Sequence, residues 1–259
     1  MLTLNQIEQQ YPENIRGFKR GILREYLQYK ILEIIFNSDY AGKLSFLGGT
    51  ALRIVYGNTR FSEDLDFDNF GLSEEDFGKI TQIIKNGLEA QGLTVEIKTV
   101  SKDAYRCYVR LPKILYENQL SGHEKEKILI QLDSMAHEFD YQSEKKIINK
   151  FDVFSEIFVT PLDILLSQKI FAALNRKRAK GRDFFDIVFL LPQTKPNYDY
   201  LKEKIGVSNS EELKMKFKTE TEGLNFKELG RDVKNFLFRP EDVKKVEMFP
   251  EFIQQADLS

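Results

Sequence analysis

Between positions 12 and roughly 37, the apolar residues Phe18, Ile22, Leu23, Tyr26, Ile31, Ile34 and Ile35 recur at near-helical spacing, which predicts one long helix. Its basic residues Arg16, Lys19, Arg20 and Arg24 fall on other faces, as solvated charge or as a nucleic-acid contact. The period then changes. An apolar run ends at Phe46-Leu47 against Gly48-Gly49, a helical pattern begins at Thr50, and a second apolar run carries Leu65 and Phe67. That order predicts a strand, a tight turn, a helix and another strand. Ser73-Glu74-Glu75-Asp76 is a helix start, and Phe77, Ile80, Ile83, Ile84 and Leu88 mark a buried stripe that ends near Gly92. Strand-like runs at 94–97, 105–110 and 128–133 complete a mixed sheet.

After Thr160-Pro161 the pattern is helical. Leu162, Leu165, Leu166, Lys169, Ile170 and Ala173 share helical spacing behind a Thr-Pro-Leu-Asp cap. A basic loop, Arg176-Lys177-Arg178-Ala179-Lys180-Gly181, leads through Arg182-Asp183-Phe184-Phe185-Asp186 into a helix that stops at Leu191-Pro192. Residues 193–197 read as a linker, and 198–259 carry helical stripes such as Leu213 with Phe217 and Val233 with Phe236 and Leu237. The expectation is an α/β protein of two lobes, a mixed sheet with its N-terminal helix in 1–155 and a mainly helical part in 156–259.

Chemistry concentrates around the glycines. Side chains alternate along a strand, so Asp64 and Asp66 are expected on one face, with Leu65 and Phe67 on the other, toward the core. Two neighbouring carboxylates repel unless a cation joins them, and hard oxygen donors suit Mg²⁺ or Mn²⁺. Glycines at 48 and 49 let the backbone N–H groups of Gly48, Gly49 and Thr50 approach a triphosphate, helped by the positive end of the following helix. Asp133 is an acid closing an apolar strand, which by itself reads as a cap at the strand end, and Glu138 and Asp140 are further acids beyond the strand pattern. An Asp-x-Asp pair alone also occurs in glycosyltransferases and in dehalogenase-type phosphatases. Phe67-Asp68 after the pair argues against the second, and the upstream Gly-Gly-Thr argues against the first.

The ordered series Gly48-Gly49-Thr50-Ala51-Leu52, Tyr56-Gly57, Arg60, Ser62, Asp64, Asp66 and Phe67 resembles the signature of the AbiEii/AbiGii (MenT-like) toxins, within the DNA-polymerase-β-like nucleotidyltransferases. Lys169 followed by the basic loop and Arg182-Asp183-x-x-Asp186 resembles the family's second block. The resemblance covers both blocks and little of the C-terminal third. It implies a polymerase-β-like sheet, Asp64 and Asp66 bridging two divalent ions, Asp133 holding one, and Lys169 neutralising a phosphate beside Asp183. It implies nucleotide binding by Arg60, Ser62, Arg176 and Arg182, with Asp186 orienting Lys169 or Arg182. It also implies transfer from a nucleoside triphosphate to an RNA acceptor, such as the 3′ end of transfer RNA, a helical lobe over the nucleotide, and a cognate antitoxin. For Asp183 a helix N-cap explains the local sequence equally well. For Arg176, Lys177, Arg178 and Lys180, simple solvation competes with a nucleotide or RNA contact.

Composition adds limits. Lysine plus arginine number 38 against 40 acidic residues, so any nucleic-acid partner must be met by a local basic patch. A single cysteine, Cys107, excludes an internal disulfide framework, and two well-separated histidines, His123 and His137, give no familiar zinc site. With no membrane-length apolar run and no signal-peptide pattern at the N-terminus, a cytoplasmic protein is expected. A nucleotide-binding module without turnover, an interaction protein and a metal-dependent glycosyltransferase remain open as other classes.

Overall fold

The computed structural model describes residues 1–101, 104–136 and 139–259. His137 and Glu138 therefore lie outside the described residues. Two compact units divide the chain: the first holds residues 1–56 and 61–160, the second 57–60 and 161–259.

In the first unit, strands β1 (Leu44–Leu47), β2 (Leu65–Asn69), β3 (Glu96–Ser101), β4 (Tyr105–Pro112), β5 (Lys127–Ala136), β6 (Glu144–Lys150) and β7 (Val153–Val159) form one sheet in the order β3-β4-β5-β2-β1-β7-β6. It is mixed, because β2–β5 and β1–β7 run parallel while the other neighbours are antiparallel. Its helices are α1 (Leu4–Glu8), α2 (Lys19–Phe36), α3 (Gly48–Ile54), α4 (Glu74–Glu89) and α5 (Ile114–Glu117). Both α2 and α4 pack on the sheet, and the residues facing them, among them Phe46, Leu65, Phe67, Cys107, Val109, Ile130, Leu132 and Val159, are buried. Among the described residues the opposite face over β4 and β5 is exposed at Arg106, Leu129 and Met135.

The long N-terminal helix begins later than its apolar spacing predicts. Residues Glu13–Ile15 form a separate 3₁₀ turn, and Phe18, at φ −84° and ψ 46°, stands outside the helix as the N-cap of α2. The basic residues of this segment serve local structure: Arg16 donates to the Tyr11 carbonyl, while Lys19, Arg20 and Arg24 pair with Glu8, Glu126 and Glu63. For α4 the local rules mostly hold. Ser73 and Asp76 form a reciprocal capping box, and Phe77, Ile80, Ile84 and Leu88 are buried, while Ile83, expected in the same stripe, is half-buried.

The described part of the second unit is helical: α6 (Leu162–Asn175), α7 (Gly181–Leu190), α8 (Tyr198–Ile205), α9 (Ser210–Glu220), α10 (Phe226–Lys234), α11 (Lys244–Glu247) and α12 (Phe249–Gln255). Its core is aromatic, with Phe184, Phe217 and Phe226 each within 6.0 Å of the Phe249 ring. A Cβ at Gly181 would stand 1.9 Å from the Leu229 carbonyl, so the start of α7 meets α10 at a distance only glycine permits. The segment 57–60 belongs here through an isolated Arg60–Leu237 bridge and the Phe238 N–H donating to the Thr59 carbonyl. No helix among the described residues is long and apolar enough to cross a membrane.

Candidate active site

The register of β2 against β5 sets Asp66 beside Asp133 on adjacent parallel strands. Asp64 precedes β2 by one residue, and Asp64 and Asp66 are half-buried while Leu65 and Phe67 are buried, the alternation expected of the segment. Asp133 lies three residues inside β5, not at its end, so a cap at the strand end is not its role.

Gly48 begins α3 directly after β1, at φ +78°. A Cβ there would lie 2.3 Å from Asp66 Oδ2, so glycine is required both by the left-handed backbone and by the carboxylate resting against it. The expected helix start at Thr50 moves two residues earlier. Gly49 and Thr50 are buried, and the Thr50 hydroxyl donates to the Asp64 carbonyl, which fixes the backbone entering β2. Ser62, half-buried, presents its carbonyl to Gln28.

Asp133 is partly engaged. Its Oδ2 accepts from Gln131 Nε2 at 2.7 Å, and its Oδ1, buried and accepting no hydrogen bond, lies 3.2 Å from Arg106 Nε. Among the described residues no three His, Cys, Asp or Glu side chains converge as a finished cation cage. The donor set nevertheless fits a hard divalent ion, with carboxylates side by side on two strands and one buried carboxylate oxygen short of a hydrogen-bond donor. Asp68 continues the row Asp64, Asp66, but its Oδ2 accepts from the Tyr141 hydroxyl at 2.6 Å, and that hydroxyl also meets Thr160 at 2.8 Å. Burial, and then the Asp68 charge, push the Tyr141 phenol well above its ordinary value.

Behind α3 lies a buried ionic cluster that the sequence reading did not single out. Glu25, 2 % exposed, accepts from Arg53 Nε at 2.7 Å, from Lys150 Nζ at 2.8 Å and from the Tyr11 hydroxyl at 2.8 Å. Burial alone would raise the Glu25 carboxyl, but Arg53 and Lys150 outweigh it and hold it below the usual carboxylate range. Burial lowers the Lys150 ammonium against the pull of Glu25. The signal was present in the chain: a glutamate three residues after Ile22 falls on the apolar stripe of α2.

A second cluster stands within the second unit. Asp186 is fully buried, accepting from Arg60 Nε at 2.7 Å, Arg60 Nη2 at 2.6 Å and Asn58 Nδ2 at 2.8 Å, and pairing with Lys169 Nζ at 2.9 Å. Burial would raise its pKa, yet Arg60 and Lys169 bring it down to about 2. Asp183, also fully buried, is the third residue of α7 and not its N-cap, a position that Lys180 takes. It pairs with Arg176 Nε at 3.0 Å and Lys169 Nζ at 3.7 Å. The expectations for this region change accordingly. Arg60, 2 % exposed, has its guanidinium on Asp186 and offers no solvent-facing donor to a nucleotide. Lys169 is oriented by Asp186, whereas Arg182 is half-buried and Lys177 and Arg178 are exposed.

A family model for the AbiEii nucleotidyl transferase toxins of type IV toxin–antitoxin systems matches residues 30–251, and the chain belongs to that family. It is a nucleotidyltransferase of the toxin class. Two solved structures share the fold. MenT4, a nucleotidyltransferase toxin from Mycobacterium tuberculosis, superposes with a TM-score of 0.59 at 15% identity over 99% of this chain and 91% of its own. JHP933 from Helicobacter pylori superposes with a TM-score of 0.55 at 19% identity over 91% and 92% of the two chains. No curated protein matches the chain.

Proposed function

We propose that this nucleotidyltransferase moves a nucleoside monophosphate from a nucleoside triphosphate to a hydroxyl at the end of an RNA, such as the 3′ end of transfer RNA, and does so in the cytoplasm as the toxin partner of a cognate antitoxin. The observation that carries the reading is Asp66 opposite Asp133 in β2 and β5, with Gly48 pressed against the Asp66 carboxylate. In the reaction the acceptor oxygen bonds to the α-phosphorus, the bond from that phosphorus to the bridging oxygen breaks, and pyrophosphate leaves with the electron pair. Asp64, Asp66 and Asp133 would hold Mg²⁺ or Mn²⁺, which supplies charge neutralisation at the attacking and leaving oxygens.

Other roles belong to the chain itself. Gly48 and Gly49 keep the turn free of Cβ atoms where phosphate approaches, and Thr50 fixes the backbone of Asp64. Asp133 would accept the acceptor hydroxyl's proton at Oδ1, the oxygen that accepts no hydrogen bond, once the Arg106 guanidinium 3.2 Å away has moved off it. In the second cluster Arg60 is committed to Asp186, and Lys169 with the exposed Arg176 would supply the positive charge that favours an anion.

The test is incubation of the full chain with each radiolabelled nucleoside triphosphate, Mg²⁺ and total RNA. Label transferred to RNA by the wild type, and lost in Asp66→Asn at equal soluble level, supports the reading. No label with any nucleotide, or equal labelling by the variant, overturns it.

A further inference from the structure

We propose that the open face of β4, with Lys98 from β3, is the docking track for the single-stranded 3′ end of the RNA acceptor. The proposal rests on the reading above and names the surface of that same site. On β4, Arg106, Tyr108 and Arg110 alternate with the buried Cys107 and Val109, so all three stand on the face that carries Asp66 and Asp133. Successive members of this row are about 7 Å apart along the strand.

The register defines what lies across the face. Arg106 lies between Val100 and Asp133, Tyr108 between Lys98 and Gln131, and Arg110 between Glu96 and Leu129. One line thus runs from a cation through an aromatic ring and an amide toward the strand that carries the acids. Lys98 and Arg106 are exposed, and Tyr108 and Arg110 half-buried, so the line is reachable. Leu129 and Met135, exposed by 42% and 59%, add apolar surface along β5.

This composition suits one occupant. A ring that can take a base on its face, flanked by cations at strand spacing, binds single-stranded nucleic acid without reading its sequence. The charges are complementary where they must be: among the described residues Lys98 and Arg110 enter no ion pair, whereas the acidic neighbour Glu96 is neutralised by Lys127. Arg106 is the pivot of the track. It is half-exposed and now sits 3.2 Å from Asp133, so a phosphate arriving on β4 can draw the guanidinium away and release Asp133 for its role. Occupation of the track and readiness of the third carboxylate are thereby one event.

The experiment compares wild type, Tyr108→Ala, the double variant Lys98→Glu/Arg110→Glu and a control, Lys145→Glu, on the exposed side of β6. Affinity for a fluorescein-labelled single-stranded RNA oligonucleotide is read by anisotropy, and KM for acceptor and for nucleoside triphosphate are read separately. Unchanged denaturant midpoints confirm that all four chains are folded, as expected for substitutions outside the core. The charge reversal is expected to weaken RNA binding at least tenfold and to flatten its salt dependence. Tyr108→Ala is expected to weaken it about tenfold. Acceptor KM should rise in step while nucleotide KM and the control stay at wild-type values. RNA affinity or acceptor KM unchanged in the charge reversal overturns the track while leaving nucleotidyl transfer intact. Wild type that binds the oligonucleotide through these residues but transfers no nucleotide sinks the proposed reaction and leaves the surface standing.

Discussion

At Gly48 two constraints meet in one residue, a backbone at φ +78° and a carboxylate within the space of a side chain. Gly48→Ala is expected to cost about 1–2 kcal/mol in backbone strain and to displace the Asp66 carboxylate. The folded protein should then lose nucleotidyl transfer far beyond its loss of stability. Activity within twofold of wild type, measured beside a urea midpoint, would refute that placement of Asp66. Asp64 and Asp66 make a different case, because half-buried acids at the start of a strand contribute little to the core. Asp64→Asn and Asp66→Asn should abolish transfer with denaturant midpoints near or above wild type, since a like charge is removed. A large fall in midpoint would instead mean that these acids are structural.

Elements are held in place by buried charge at two points. α3 is tied through Arg53 to Glu25 on α2, and Lys150 and Tyr11 complete the shell around that carboxylate. Removing the buried acid leaves two half-buried cations, Arg53 and Lys150, without their counter-charge, so Glu25→Ala should destabilise by about 3 kcal/mol. The readout is the urea midpoint of the purified chain. In the second unit, Asp186 joins α7 to α6 through Lys169 and to the segment 57–60 through Arg60. Its folded pKa of about 2 lies below the unfolded value near 3.8, so its contribution is complete above that ordinary value and fades as pH falls through about 2. The lost stability should amount to about 2 kcal/mol. A wild-type urea midpoint that does not fall between pH 4 and pH 2 would refute the pairing, and Asp186→Asn should start lower and lose this part of the acid dependence. Lys169→Ala removes the ammonium from two buried acids and is expected to lower the midpoint. A merely solvated lysine would leave it unchanged.

For the whole molecule, membership of a toxin family makes expression itself an assay. Induction in a bacterial host should arrest growth, and the arrest should disappear in Asp64→Asn at matched soluble level, because harm would come from modified RNA. Equal arrest by both chains would favour an interaction protein over an enzyme.

The sequence alone determined the pieces whose physics is local. The capping box at Ser73, the breaks at Gly48-Gly49 and Thr160-Pro161, and the alternation around Leu65 and Phe67 each follow from near neighbours. So the pair Asp64 and Asp66 and the helical character of residues beyond 161 were legible. Partners far apart in the chain were not. Arg60 meets Asp186 across 126 positions, Tyr141 meets Asp68 across 73 and Lys150 meets Glu25 across 125. The motif around Arg60 announced charge but not its partner, so Arg60 looked like a nucleotide contact while the fold gave it a buried carboxylate. Strand register had the same limit, since only the parallel pairing of β2 with β5 sets Asp133 beside Asp66 and leaves Arg106, Tyr108 and Arg110 on their face. Burial decides these assignments, because a charge removed from water must find its opposite within a few ångströms, and only the tertiary structure states which one is there.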